Sequence, residues 1–315
     1  MSITNNNKVV IKPDSLKKGD TIGVVAPASS FDIDNFKKGL KVLRGLGYKV
    51  KYERSIFNPC WSRPGHNRKR ALQINRMFAD KNIKAIFCAK AGYGSEEILS
   101  YLDKEIICNN PKIFVGYSDI TAILLYLRKV ANMVVFHGPV IADEFHEEMH
   151  ELTLLYLKKL LTEKIPLGKL KFPQLISFKP GKASGCIVGG NLSLIVGAMG
   201  SEYCILTDDC ILFLEDVREE FKVVKSYFKR LRRAGKFSNI KGLVLGKITD
   251  PVGKEHDITN IVEKMFRRYD IPILYGFPSG HTQLRGGLNV TLPFGVKGTI
   301  DADDLSLTID ESAVK

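Results

Sequence analysis

Short apolar runs alternate with helical stretches through the first half of the chain. TIGVVAPAS, YKVKYE, IKAIFCA, KIFVGYS and MVVFHGP are rich in β-branched and aromatic residues and predict strands. Between them, residues 36–46, 68–78, 95–101 and 120–130 place apolar side chains three and four apart and predict helices, the first stopped at Gly47. Alternation of this kind predicts an α/β fold, with a parallel sheet covered by helices on both faces.

Residues 141–182 break the pattern. A helix that turns from acidic to apolar leads into IPLGKLKFPQLISFKPGKASG, where Pro, Gly and Lys dominate and no period survives. This stretch is expected to connect two domains. Beyond it comes a second set of elements, CIVGGNLSLIVGAM, CILFLEDV, the basic helix at 222–236, IKGLVLGKI, a helix at 260–269, IPILYGF, and two hairpin-like runs. The expected organisation is an N-terminal α/β domain over 1–145, a connection over 146–184 and a C-terminal domain over 185–315.

Composition adds limits. A chain of 315 residues, 44% hydrophobic, has room for about two domains and can bury a core without disulfides. No apolar run reaches the ~18 residues of a membrane helix. No basic-then-apolar leader opens the sequence, so a cytoplasmic location is the expectation. The cysteines (Cys60, Cys88, Cys108, Cys186, Cys204 and Cys210) form no CxxC pair and are expected to be free thiols. The net charge of +13 permits an anionic partner. Its densest source, residues 222–236, carries Val223, Val224, Tyr227, Phe228 and Leu231 at helical spacing, which predicts an amphipathic helix with a solvated basic face. No nucleic-acid motif accompanies it, so neither nucleic acid nor membrane is expected as a partner.

Three features could carry chemistry. In KIFVGYSDITAILLYL a strand runs into Gly116-Tyr117-Ser118-Asp119 and a helix begins at once. A serine on such a turn projects its hydroxyl beside helix N-terminal amides, the setting of a nucleophile elbow, although the closing glycine of GxSxG is absent. The competing reading is that Ser118 or Asp119 caps the helix. Glu215 and Asp216 end the apolar strand CILFLED, and His281 follows a strand and a Pro/Gly loop. The order Ser118, Glu215, His281 matches the serine–acid–histidine order of α/β hydrolases, while each residue alone also reads as a cap, an ion-paired carboxylate or a loop histidine. Gly92-Tyr93-Gly94 is a tight loop after a strand. Glu97 stands where a dinucleotide motif needs its third glycine, so no nucleotide cofactor is expected. Finally, His146-Glu147-Glu148-Met149-His150 is a literal HExxH. It lies in the expected connection with no third ligand at a metalloprotease spacing, so a solvated helix start and no metal are the expectation. His66, His137 and His256 read as structural.

Taken together, several stretches resemble the LD-carboxypeptidase family, the S66 serine peptidases, which includes microcin C immunity proteins. They are residues 19–29, 71–103, 111–127, 136–139, 189–195, 211–217, 242–246 and 280–295, in order along the chain. The resemblance implies a flavodoxin-like N-terminal domain, a smaller β-rich α/β C-terminal domain and a triad at the cleft between them. It assigns the nucleophile to Ser118, the acid to Glu215 and the base to His281. The amide of Asp119 and one from the Ala91–Gly92 loop would form the oxyanion hole, with Lys90 beside the substrate. The implied reaction releases terminal D-Ala from murein tetrapeptides, by a homodimer without cofactor. The alternative within the family is hydrolysis of a peptidyl- or aminoacyl-nucleotide; outside it stand a zinc peptidase through His146 and His150, and a basic binding protein. Two departures stand out. Lys90-Ala91 replaces the family's Arg-Gly, exchanging a two-pronged carboxylate ligand for a point charge, and Val224-Lys225 replaces its Asp-Arg pair.

Overall fold

A computed structural model describes residues 10–145, 149–250, 252, 258–281 and 287–315. In chain order the elements are β1 (Thr21–Val25), α1 (Ile33–Gly45), β2 (Lys49–Tyr52), α2 (Asn67–Ala79), β3 (Ile83–Cys88), α3 (Lys104–Asn109), β4 (Ile113–Gly116), α4 (Thr121–Ala131), β5 (Val135–His137), α5 (Ile141–Glu144) and α6 (Glu151–Thr162). There follow β6 (Gly168–Leu170), β7 (Ile176–Lys179), β8 (Lys182–Asn191), α7 (Leu192–Gly197), β9 (Cys210–Asp216), α8 (Phe221–Arg233), β10 (Gly242–Ile248), α9 (Thr259–Phe266), β11 (Ile273–Tyr275), β12 (Leu292–Phe294), β13 (Lys297–Asp301) and β14 (Ser306–Ile309).

The first sheet runs β12-β5-β4-β3-β1-β2, with β1 to β5 parallel to their neighbours and β12 antiparallel on β5. Its parallel strands follow the flavodoxin-like order, in which ligands bind beyond the carboxyl ends near the β1/β3 switch. Strand β4 is buried throughout, as a parallel strand covered on both faces must be. Helix α1 starts where the Asp32 carboxylate accepts from Asn35 N at 2.7 Å. It stops just before Gly47, whose φ of +91° only glycine adopts readily.

The second sheet runs β6-β14-β13-β8-β9-β10-β11-β7, parallel from β8 to β11 and antiparallel elsewhere. Strand β9 shows how the two sheets share a core. Ile211 and Phe213 point into the apolar cluster shared with the first sheet, while Cys210, Leu212 and Leu214 point into a second cluster under α7, α8 and α9. The basic stretch folds as α8, burying Val224, Phe228 and Leu231 and leaving its cations outward.

Two segments depart from expectation. The helix expected in the connecting stretch is α6, but the Pro/Gly/Lys-rich part that follows contains β6 and β7, which form the two edges of the second sheet. Edge strands are short and tolerate Pro, Gly and Lys, which removes the alternation that marks interior strands. Residues 95–101 form a 3-10 turn over Glu96–Tyr101 rather than an α-helix. The segment is held at both ends: Ser95 N donates to Asp119, and the Tyr101 carbonyl accepts from Asn75. Among the described residues no helix is long and apolar enough to cross a membrane.

Candidate active site

Strand β4 ends in an extended Tyr117 (φ −147°), and Ser118 then takes φ +61° before the helical turn that opens α4. A left-handed conformation at a non-glycine residue costs about 1–3 kcal/mol and persists only where neighbours fix it. Here Gly116 packs so closely that a Cβ would meet Ile120 Cγ2 at 2.7 Å and Cys88 Sγ at 3.2 Å. Neither Ser118 nor Asp119 caps a helix: the capping positions are Tyr117 and Ile120, without side-chain cap bonds. The Asp119 carboxylate instead accepts from Ser95 N at 2.9 Å, and the Ser95 hydroxyl donates to the Asp119 carbonyl. Burial raises the Asp119 pKa, opposed by the Ser95 and Gly94 amides and by Arg70.

The loop after β3 lies against the loop after β1. Ser29 N donates to the Ala91 carbonyl at 3.3 Å, and Tyr93 N donates to Ser29 Oγ at 3.0 Å. At Gly92, φ is +113° and a Cβ would sit 2.3 Å from Ser29 Oγ, so the position admits only glycine. Ala91 is buried, and the left-handed positions are its neighbours Gly92 and Gly94. Lys90 reaches Asp143 of α5 at 3.2 Å. Arg70, fully buried, donates to the Pro27 carbonyl at 2.7 Å and to Asn67 at 2.6 Å, fixing the base of these loops.

Glu215 and His281 meet at the carboxyl end of β9. The buried Glu215 Oε2 accepts from His281 Nδ1 at 2.7 Å and from His281 N at 3.1 Å. An ionised carboxylate can only accept, so Nδ1 carries the proton and a neutral His281 presents Nε2 as a base. Burial would lower the His281 pKa, but the Glu215 carboxylate outweighs it and holds the imidazole above its ordinary value. Burial would raise Glu215; the charge and hydrogen bonds of His281 hold it below the ordinary glutamate value. Gly280 (φ +84°) makes the approach possible, since a Cβ there would lie 2.6 Å from Glu215 Cδ.

Two contacts join this pair to the serine turn. The Tyr117 ring lies 5.1 Å, edge to face, from the His281 ring. Asn191 N donates to Thr121 Oγ1 at 3.1 Å, and Asn191 Nδ2 reaches Glu215 Oε1 at 3.3 Å. The structure thus brings the Ser118 turn, at the carboxyl end of β4, beside the Glu215–His281 pair at the carboxyl end of β9.

Several supporting residues escaped the sequence reading. Asn191 also donates to Asp216 at 3.0 Å, and Ser193 N and Val217 N donate to the same carboxylate at 2.9 Å each. Burial, then the adjacent Glu215, push Asp216 up to about 7. Asn191 also caps α7, its side chain accepting from Leu194 N, and nothing in the apolar run around it signals the carboxylate contacts. Tyr117 OH donates to Glu144 Oε1 at 2.5 Å, and Val140 N donates to Glu144 Oε2 at 2.8 Å. Burial pushes Glu144 up to about 7 against the Tyr117 hydrogen bond.

The remaining histidines are placed elsewhere. His137 is buried among Phe213, Phe294 and Tyr117, and burial lowers it to about 4, so it stays neutral. His66 lies 5.9 Å from the Trp61 ring. His146, Glu147, Glu148 and His256 lie outside the described residues. His150 caps α6, its Nδ1 accepting from Leu152 N at 3.2 Å. Among the described residues no group of three or more His, Cys, Asp or Glu could hold a metal ion.

Comparison with known proteins gives consistent matches. Residues 22–138 match the model of an LD-carboxypeptidase N-terminal domain and residues 184–300 that of an LD-carboxypeptidase C-terminal domain. The Probable murein peptide carboxypeptidase of Bacillus subtilis is 32% identical over 95% of this chain and 94% of its own length. The Microcin C7 self-immunity protein of Escherichia coli is 29% identical over 94% of each. A solved structure of the microcin self-immunity protein in complex with glutamyl sulfamoyl guanosine superimposes with a TM-score of 0.87 at 26% identity, covering 96% of this chain and 99% of that one.

Proposed function

Since the chain belongs to the LD-carboxypeptidase family, we propose that it is a serine-type LD-carboxypeptidase, a hydrolase that releases terminal D-Ala from murein tetrapeptides. The observation that carries this reading is the 2.7 Å bond from His281 to the buried Glu215, beside a serine held in a left-handed turn.

In this mechanism His281 Nε2 takes the proton of Ser118 as Oγ attacks the scissile carbonyl. Glu215 holds the imidazole in the productive tautomer and stabilises the imidazolium that forms. The Asp119 amide, with one from the Ala91–Gly92 loop, receives the developing oxyanion. His281 then protonates the departing D-Ala amine, and water releases the acyl group by the same steps in reverse. Lys90, tied to Asp143 at 3.2 Å, would exchange that partner for a carboxylate of the substrate. The enzyme would act in the cytoplasm as a homodimer, in wall recycling.

The test is mass spectrometry of tetrapeptides incubated with wild-type protein and Ser118→Ala. Loss of one D-Ala by wild type alone is the expected result. Product from the variant at the wild-type rate would overturn the reading. A second reading, hydrolysis of an aminoacyl-nucleotide conjugate, is favoured by the likeness to the microcin self-immunity protein and its glutamyl sulfamoyl guanosine complex. An aminoacyl sulfamoyl nucleoside offered in the same assay separates the two.

A further inference from the structure

Away from the cleft, strands β8 and β9 place Cys186 and Cys210 directly opposite each other in a parallel ladder. Neighbouring strands lie about 4.8 Å apart, within the Cα separation of roughly 4.4–6.8 Å that a disulfide spans. Both side chains face the apolar cluster beneath α8 and α9, so they leave the sheet on the same side. Both are free thiols. Cys186 is half-buried and open to a small oxidant, whereas Cys210 is 7% exposed and its sulfur donates to the Asp208 carbonyl at 3.2 Å. The Arg128 guanidinium, anchored on the Met133 carbonyl at 3.0 Å, is near enough for its charge to act on both sulfurs.

We propose that Cys186 and Cys210 are a site of reversible oxidation, at which a hydroperoxide converts the thiol pair into a disulfide across β8 and β9. The Cys186 thiolate attacks one peroxide oxygen; the O–O bond breaks, and the departing oxygen leaves as water or alcohol after taking up a proton. Cys186 is then a sulfenic acid. The Cys210 sulfur attacks the Cys186 sulfur, the S–S bond forms, and hydroxide leaves, collecting the Cys210 proton as water. One peroxide is reduced by two electrons and two thiols are oxidised, so the sum balances. A dithiol reverses the reaction by exchange.

The division of labour follows from the surroundings. The neighbouring Cys210, with help from Arg128, lowers the Cys186 pKa against the effect of burial. Cys210 is raised and held as the thiol, by the adjacent Cys186 first and by burial second. Nucleophile and resolving thiol are thereby distinguished before any oxidant arrives. The site is independent of the hydrolytic reading, since none of its residues belongs to the cleft.

The test uses the full chain, reduced and then titrated with hydrogen peroxide, quenched with iodoacetamide in denaturant and digested without reductant. The expected result is one linked peptide pair joining Cys186 to Cys210, lost on treatment with dithiothreitol, with Cys60, Cys88, Cys108 and Cys204 alkylated. In Cys210→Ser protein the reaction should stop at a Cys186 sulfenic acid that dimedone traps. A different linkage, a Cys186 sulfinic acid with no linked pair, or unchanged thiols at equimolar peroxide would each overturn the proposal. The wild-type map decides the matter even if the variant fails to fold.

Discussion

Ser118 and His281 reach the cleft from different sheets, and what holds each is different in kind. The Ser118 turn is held by packing: Gly116 lies against Ile120 and Cys88, and backbone strain is locked between a buried strand and a helix. His281 is held by charge, through two hydrogen bonds to one oxygen of a buried carboxylate. Geometry made of packing is insensitive to pH and responds to volume. Geometry made of charge responds to protonation. One side of the proposed site therefore has a fixed position, and the other an imidazole whose protonation its partner carboxylate tunes.

The largest effect expected from breaking this contrast is on the packed side. Ser118→Gly should lower hydrolysis by several orders of magnitude, as should Ser118→Ala. The glycine should also raise stability by about 1 kcal/mol relative to the alanine, because only glycine relaxes at φ +61°. Thermal melts of the two variants measure the strain free of the chemistry; equal melting temperatures would remove it from the account.

On the charged side, Glu215→Gln should lower kcat by about 10²–10⁴-fold. It should also move the acid limb of kcat/KM to lower pH, because burial then acts on His281 without its counter-charge. The sign for stability is fixed as well. A depressed carboxylate stabilises above its ordinary pKa of 4.5, and a raised imidazole stabilises below its ordinary 6.5 and loses that contribution as pH climbs through its folded value. The difference between wild type and variant should thus peak between those pH values, which denaturant melts across pH would show.

The smallest effect is expected at Asp216. Its folded pKa of about 7 lies above the ordinary 3.8, so its contribution is present at low pH and is lost as pH rises between the two. Asp216→Asn should flatten that slope and change kcat little. An unchanged slope would mean that the three donors around this carboxylate outweigh its burial.

Much of this was legible in the sequence, for identifiable reasons. Parallel strands buried on both faces write themselves as continuous apolar runs, so β1, β3, β4, β9 and β10 were readable. Edge strands carry no such signature, and β6 and β7 were read as a connection. The candidate triad is legible because Ser118 and His281 each follow a strand at a turn and Glu215 stands near the end of an apolar strand. Its supports are not. Asn191 meets Glu215 and Asp216 from a neighbouring strand, and the meeting of Ser29 with Gly92 depends on two loops far apart in the chain. Glu215 and Asp216 are adjacent acids with opposite shifts, and only the approach of Gly280 and His281 to one of them tells them apart.

Strand β12 joins the first sheet, antiparallel on β5, although it follows His281, which is bound to the second sheet through Glu215. His281 is thereby tied to the second sheet while the chain soon after it rejoins the first. The imidazole sits where the two halves meet, so a displacement of one half against the other would alter its distance from the Ser118 turn.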